Sequence, residues 1–196
     1  MQLPLDPDRV KGFLHPDEGE CLYRLAYSAA ALGPALEVGS YCGKSTLYLG
    51  AGVRDGGGLL YALDHHRGSE EHQLGEEYHD AELYDVQLQQ MDSLPTFRRT
   101  LALAQLESVV VPIVASSAQA GRYWQTRLRW CLLMAVTVSR RLLQIIVLGC
   151  RISYLVATWL FMTFFLIRLM AVKHPMKFTS WPWRQDYLRV LKCVEP

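Results

Sequence analysis

The sequence predicts an α/β protein whose N-terminal part forms a Rossmann-like, doubly wound parallel sheet. Short apolar runs that close on a glycine or an acid alternate with helical patterns from residue 19 to residue 121. Thirteen of the 14 glycines lie before Thr126, and a chain of 196 residues is long enough to bury a core. Strands that alternate with helices favour a parallel sheet, which binds ligands beyond the carboxyl ends of its strands.

The first elements follow in a regular order. Residues 19–33 have apolar residues at helical spacing and end on a glycine, so they predict an amphipathic helix. The run PALEVGS at 34–40 predicts a buried strand that enters a turn, and the helical pattern resumes at 44–53. The run GGGLLYALD at 56–64 predicts a turn and a second strand that ends on Asp64.

Two more predicted segments complete this part of the chain. Residues 77–106 predict a polar helix with a break at Pro95. The run SVVVPIVASSAQAG at 108–121 predicts a third strand followed by a helix whose first residues are small.

The stretch LEVGSYCGKST, residues 36–46, fits two kinds of loop. A nucleotide phosphate loop needs Gly, four residues and then Gly-Lys-Ser/Thr, but the glycine required before Gly43 falls on Val38. Gly39 leaves only three intervening residues, and this spacing matters because successive backbone N–H groups wrap the phosphate. The alternative is a methyl-donor loop, in which Gly39 allows a sharp turn, Gly43 allows close approach of a ligand, and Asp64 accepts hydrogen bonds from ribose hydroxyls.

The stretch LEVGSYCGKSTLYLG resembles class I S-adenosylmethionine-dependent methyltransferases, especially small-molecule O-methyltransferases of the catechol type with their Glu-x-Gly-x-Tyr-x-Gly-x-Ser pattern. The resemblance extends over about residues 5–124 and implies S-adenosylmethionine as the cofactor. It implies that Asp64 holds the ribose, where many relatives have Glu, and that Ser116 or Ser117 lies near the adenine. The residues expected at the cofactor are Glu37, Gly39, Ser40, Tyr41, Gly43, Ser45, Asp64, Ser116 and Ser117.

The charge distribution predicts a boundary after Gln125. Residues 1–125 contain nine Lys/Arg and 17 Asp/Glu, whereas residues 126–196 contain 11 Lys/Arg and two Asp/Glu. We therefore expect a cofactor-binding part at 1–125 and a hydrophobic, basic tail at 126–196 that forms one or two helices between about 128 and 172.

The tail lacks two motifs that the resemblance leads us to expect, an Ile-Asp-Gly-x-His run and a later strand that ends in His-Asp. The resemblance assigns divalent-metal and acid–base chemistry to those carboxylates, but no acid occurs between Gln125 and Asp186. We therefore expect a methyltransferase that acts on an oxygen of a small molecule, impaired as written, with no assignable catalytic residue and no magnesium site.

A shifted reading frame explains the tail. If each codon after about Thr126 is rebuilt from the last base of one codon and the first two of the next, residues 131–138 permit Val-Phe-Ile-Asp-Gly-Gly-His-Ser. The same operation on residues 156–172 permits a run that contains Ile-His-Asp. Both missing motifs appear in order in one frame, which suggests that the chain is read out of frame from about Arg127.

Two other functions stay open, a cofactor-binding module without catalysis and a membrane-associated protein. Residues 152–167 are apolar throughout but shorter than the roughly 20 residues that cross a bilayer, and a mid-bilayer Arg151 would cost about 3 kcal/mol. The five irregularly spaced cysteines favour a cytoplasmic location. The alternative is membrane association through residues 142–172. The expected partner is a small-molecule substrate rather than a nucleic acid, and the adjacent His65 and His66 are not expected to bind one metal because they point in opposite directions.

Overall fold

The computed structural model describes residues 1–68, 80–122, 124–126, 128 and 130–133, the last four as backbone only. Short 3₁₀ turns occupy Pro7–Arg9 and Ala81–Leu83. The helices are α1 (Pro16–Ala30), α2 (Lys44–Asp55), α3 (Leu94–Leu103) and α4 (Ser117–Arg122). The strands are β1 (Ala35–Val38), β2 (Leu60–Asp64), β3 (Tyr84–Asp85), β4 (Gln90–Met91), β5 (Val110–Val114) and β6 (Trp130–Leu133).

Four strands form a parallel sheet in the order β5-β2-β1-β6. Along the chain, β2 is added on one side of β1 and β5 beyond it, and the chain then returns to place β6 on the other side of β1. The strand order therefore reverses between β1 and β6, and ligands bind at such a switch point beyond the carboxyl ends of the strands. The α/β, Rossmann-like expectation is confirmed for this part of the chain.

Both faces of the sheet are covered, as expected for a doubly wound fold. Ala35, Leu60 and Ala62 contribute to a core shared with α1, α2 and α3. The intervening Leu36 and Leu63 pack on the opposite face, in a cluster that includes Ala120 of α4 together with Val38, Ile113, Ala115, Trp124 and Leu128. This alternation follows from the two-residue period of a strand, and the nearly continuous apolar runs follow from burial on both faces.

Helix α1 begins three residues earlier than the sequence pattern predicts. Pro16 stands in its first turn, and the His15 side chain accepts a hydrogen bond from the Asp17 amide. The Glu18 carboxylate accepts in return from the His15 amide at 2.9 Å. These contacts satisfy amides that a helix start leaves without partners, so the capping pattern sets the boundary and the apolar period does not.

The polar helix predicted over residues 77–94 is wrong for residues 80–93. This segment contains a 3₁₀ turn and the antiparallel strands β3 and β4, and Pro95 stands in the first turn of α3 instead of breaking a longer helix. Proline lacks an N–H and fits the first turn, where no intrahelical partner would exist. Leu83 and Met91 are buried with Cys42, so packing below the β1 loop outweighs local helix propensity.

The expectation of helices between about residues 128 and 172 is wrong for Trp130–Leu133, which form a parallel strand of the sheet. All four residues of β6 are in register with β1, from Ala35 opposite Trp130 to Val38 opposite Leu133. The free edge of β1 offers unpaired backbone groups, and pairing with them outweighs the helix propensity of Leu and Cys. β6 thus lies beyond the boundary predicted at residue 125. The predicted tail helices at 134–172 and the expected fifth strand lie outside the described residues.

Candidate functional site

The loop after β1 has an unusual backbone. Gly39, Tyr41 and Gly43 all have positive φ, at 88°, 49° and 92°. The Gly39 amide donates to the Leu63 carbonyl at 2.9 Å, and the Gly43 amide donates to the Ser40 carbonyl at 2.8 Å. The chain therefore turns sharply out of the sheet and enters α2 with Gly43 as its N-cap. Glycine adopts this conformation at no steric cost, and Tyr41 adopts it under the constraint of its neighbours.

The Glu37 side chain is fully buried on the α2 side of the sheet. Ser45 Oγ donates to Glu37 Oε1 at 2.5 Å, and Thr46 Oγ1 donates to Glu37 Oε2 at 2.6 Å. Burial raises the pKa of this carboxyl group to about 7, against the opposing effect of the two hydroxyl hydrogen bonds. Glu37 therefore fastens the first turn of α2 to β1.

Asp64 connects the β1 loop to the β2 loop. Its Oδ2 accepts from the Tyr41 amide at 2.8 Å, and its Oδ1 accepts from the His66 amide at 2.8 Å. Each carboxylate oxygen has a second lone pair, so the half-buried group can still accept hydrogen bonds from a ligand. The carboxylate thus fixes both loops and faces the end of the sheet.

The predicted serine pair, Ser116 and Ser117, follows the end of β5. The Ala115 amide donates to the Asp64 carbonyl at 3.1 Å, which brings the two strand ends together. Ser116 Oγ donates to Gln119 Oε1 at 2.9 Å, and Ser117 begins α4. The predicted residues at the ends of β1, β2 and β5 are therefore neighbours at one edge of the sheet, and their roles toward a cofactor stay predictions.

Ser40 differs from the other predicted residues. Its side chain is 2% exposed, and among the described residues its Oγ finds no hydrogen-bond partner. A buried hydroxyl without a partner costs free energy, so this atom marks an unsatisfied position in the loop. Its assignment to the cofactor site also stays a prediction.

Burial suppresses the ionisation of the two side chains that follow Ser40. It raises the pKa of the Tyr41 phenol to about 12 and that of the Cys42 thiol to about 12. Both side chains are consequently neutral at physiological pH, and Cys42 is not an activated nucleophile. Neither side chain therefore brings a charge to the loop.

The two histidines after Asp64 have opposite environments. His65 is exposed and its Nδ1 accepts from the Arg67 amide at 3.0 Å, whereas His66 is 2% exposed. His66 Nδ1 lies 2.8 Å from Ser93 Oγ. Their opposite environments argue against joint metal binding, and the parts of the chain that the structure describes contain no group of three potential metal ligands.

Sequence reasoning missed the contribution of α3 to the site. Thr100 Oγ1 donates to the Cys42 carbonyl at 2.8 Å, and Phe97 packs against both Gly43 and His66. These residues are more than 50 positions from Cys42 and Gly43, and the helical pattern marks them only as an apolar face. Thr46 was also missed, although it directly follows Ser45.

Within the described ranges, no helix is long and apolar enough to cross a membrane. The segment 142–172, to which membrane association was assigned, lies outside these ranges. That alternative and the expected cytoplasmic location therefore stay predictions.

A family model described as a methyltransferase domain matches residues 36–135, which is just over half of the chain. The chain belongs to this family, which confirms the resemblance to class I S-adenosylmethionine-dependent methyltransferases. The match includes the β1 loop, Asp64 and both predicted serines after β5, and it favours the methyl-donor interpretation of the loop over the nucleotide one.

Two solved structures have the same fold. One is the S-adenosylhomocysteine-bound methyltransferase PaMTH1 of Podospora anserina, at 14% identity, with a TM-score of 0.52 over 72% of this chain and 50% of that one. The other is the O-methyltransferase TomG of Streptomyces achromogenes, in complex with S-adenosylmethionine, at 14% identity, with a TM-score of 0.50 over 92% of this chain and 69% of that one. The chain thus spans half the length of PaMTH1.

Proposed function

We propose that this chain, as a member of the methyltransferase family, binds S-adenosylmethionine at the carboxyl ends of β1, β2 and β5. The observation that carries the proposal is the contact of Asp64, whose Oδ2 accepts from the Tyr41 amide at 2.8 Å. This contact joins the loops after β1 and β2, and β1 is one of the two strands between which the strand order reverses. When bound, the cofactor supplies a methyl group on a sulfonium centre.

The residues present fit the two polar ends of this cofactor. The first turn of α2 presents backbone amides and the positive end of a 12-residue helix, which favours an anionic group such as the methionine carboxylate. Asp64 keeps lone pairs that can accept from the two ribose hydroxyls. Ser116 stands at the end of the neighbouring strand, where the adenine is proposed to lie.

The buried Glu37 supports this arrangement from below. Its carboxyl group accepts from Ser45 and Thr46 and therefore sets the direction of the first α2 turn relative to β1. In this proposal Ser45 touches the cofactor through its place in that turn, since its hydroxyl hydrogen is donated to Glu37. Gly39 and Gly43 allow the backbone to approach the ligand closely.

The proposed reaction is methyl transfer to a nucleophilic oxygen of a small molecule, by in-line displacement that depends on positioning of the acceptor. We further propose that the chain as written is impaired, because no acid stands between Gln125 and Asp186 to supply the strand-end carboxylates of the resemblance. We also propose that the chain is read out of frame from about Arg127, because the shifted frame permits both strand-end motifs of the resemblance.

The binding half of the proposal is tested by titrating the full chain with S-adenosylhomocysteine in a calorimeter. We expect saturable binding at one site and no comparable binding of ATP. Tight ATP binding without S-adenosylhomocysteine binding would restore the phosphate-loop interpretation of residues 36–46.

The catalytic half is tested by comparing the chain with a version in which the frame is restored after Thr126. Both are assayed for transfer of labelled methyl from S-adenosylmethionine to catechols, sugars and carboxylates, with and without detergent. We expect turnover at least 100-fold lower in the chain as written, since general acid–base and metal assistance contribute factors of about 10² or more. Equal turnover by the two proteins would show that the tail is functional and would end the frame hypothesis.

A further inference from the structure

One face of α3 contacts both loops of the proposed cofactor site, although no residue of α3 was assigned to that site. The residues are Ser93, the N-cap of α3, and Phe97 and Thr100 within it, spaced four and three positions apart. Residues at this spacing lie on the same side of a helix. All three are buried, at 3%, 0% and 6% exposure.

Thr100 holds the β1 loop. Its Oγ1 donates to the Cys42 carbonyl at 2.8 Å and lies 3.1 Å from the Thr96 carbonyl of its own helix. A β-carbon built at Gly43 would lie 3.2 Å from Thr100 Cγ2 and 3.2 Å from Phe97 Cδ2. The turn at Gly43 therefore lies directly beside α3, with a buried hydrogen bond from Thr100 to Cys42 and little room for a side chain between Gly43 and the helix.

Ser93 and Phe97 hold the β2 loop through His66. The Ser93 amide donates to the His66 carbonyl at 3.1 Å, and Ser93 Oγ lies 2.8 Å from His66 Nδ1. The His66 and Phe97 rings pack at a centroid distance of 5.1 Å. His66 has a positive φ of 58°, a conformation that an L-residue keeps only when its surroundings enforce it.

The two loops are also joined directly, because Asp64 accepts from both the Tyr41 and the His66 amides. The contacts of α3 with Cys42 and His66 link the same two loops through a third element. The contacts thus run from the β1 loop to Asp64, from Asp64 to His66, from His66 to α3, and from α3 back to the β1 loop.

We propose that Ser93, Phe97 and Thr100 are positioning residues that hold the β1 and β2 loops in the conformation that the cofactor site requires. In this proposal they act through the loops and are not among the residues assigned to the cofactor. This inference rests on the proposed function for its consequence, weaker cofactor binding, but its structural content concerns the unliganded chain. Binding preorganisation is its physical basis, since a loop that must be ordered by the ligand reduces affinity.

The test uses three variants of the full chain. Thr100→Val removes the hydroxyl at nearly constant volume, and Thr100→Ser keeps the hydroxyl and removes the methyl group. Thr96→Val is the matched control, since it makes the same change on the same helix at a half-buried position. Amide hydrogen exchange is measured without ligand, and S-adenosylhomocysteine affinity is measured by calorimetry.

For Thr100→Val we expect exchange at the Tyr41 and Gly43 amides to rise at least fivefold while the amides of α1 keep their rates. We expect the dissociation constant to rise about fivefold, the loss of roughly one hydrogen bond. Thr100→Ser and Thr96→Val should stay within about twofold of the unaltered chain in both measurements. Rescue by Ser distinguishes positioning by the hydroxyl from a general loss of stability.

Unchanged exchange at Tyr41 and Gly43 in Thr100→Val would overturn the inference. Faster exchange with an unchanged dissociation constant would also overturn it, because the loop conformation would then not matter for the ligand. If the unaltered chain binds no S-adenosylhomocysteine, the proposed function fails, and the exchange rates alone then decide whether α3 fixes the loops. Should Thr100→Val fail to fold, the comparison of Ser93→Ala with Thr96→Val replaces it, with the His66 amide as the probe.

Discussion

The carboxyl ends of β1 and β2 each carry an acid, and the two acids do different work. Glu37 is fully buried and accepts from two side-chain hydroxyls of the next helix. Asp64 is half-buried and accepts from two backbone amides of different loops. The first group is enclosed by protein, and the second keeps lone pairs toward the edge of the sheet.

Both acids were expected at the cofactor from the resemblance, and their contacts differ. We propose that Glu37 acts on the site through α2 and that Asp64 meets a ligand directly. If so, changes at Glu37 should appear mainly in the free energy of unfolding, and changes at Asp64 mainly in ligand affinity.

The largest expected effect is that of Glu37→Ala on stability. At pH 5 we expect the free energy of unfolding to fall by about 4 kcal/mol, because the change leaves a cavity and two buried hydroxyls without their acceptor. Urea unfolding followed by circular dichroism measures this. The isosteric Glu37→Gln serves as the control and should lose no more than about 1 kcal/mol of unfolding free energy. If Glu37→Ala were as mild as Glu37→Gln, the Glu37 side chain would not be tightly packed.

The next effect is a pH dependence carried by Glu37. Its folded pKa of about 7 exceeds the ordinary value of 4.5, so the folded state binds more protons between these values. Its contribution to stability is therefore complete below about pH 4.5 and is lost as the pH rises through about 7, by up to roughly 3 kcal/mol.

The pH effect is isolated by subtracting two stability profiles. Burial lowers the pKa of His66, which makes the folded state lose stability as the pH falls below 6.5 and so opposes the Glu37 effect in the same range. Subtracting the free energy of unfolding of the unaltered chain from that of Glu37→Gln removes the His66 contribution. This difference should become more positive from pH 4.5 to pH 8, because only the unaltered chain loses stability through Glu37. The exposed Glu107→Gln is the control, and a flat difference for Glu37→Gln would refute a raised pKa.

The third expected effect, smaller in free energy than those at Glu37, is that of Asp64→Ala on affinity. We expect the dissociation constant for S-adenosylhomocysteine to rise at least tenfold, or about 1.4 kcal/mol, because the ribose loses an acceptor and the Tyr41 amide loses its anchor. Calorimetry measures this, with Asp55→Ala at the far end of α2 as a matched control. Equal affinities of Asp64→Ala and the unaltered chain would remove Asp64 from the site.

The sequence by itself determined the α/β class, the strands β1, β2 and β5, and the family. These follow from local signals: apolar runs closed by glycine or Asp64, and a loop whose glycines at 39 and 43 meet a demand of the backbone. It also determined which residues meet at the end of the sheet, because parallel strands bring their carboxyl ends to one edge. The pattern Glu-x-Gly-x-Tyr-x-Gly-x-Ser indicated the family.

Only the tertiary structure decided the partners of those residues. Residues 84–91 form a small hairpin and Trp130–Leu133 form a strand because Cys42 and the open edge of β1 offer contacts that local propensity does not contain. The Thr100 hydroxyl reaches the Cys42 carbonyl across 58 positions of sequence. A single chain records no trace of such a contact, since its free energy depends on the distance between two groups in space and not on their spacing along the chain.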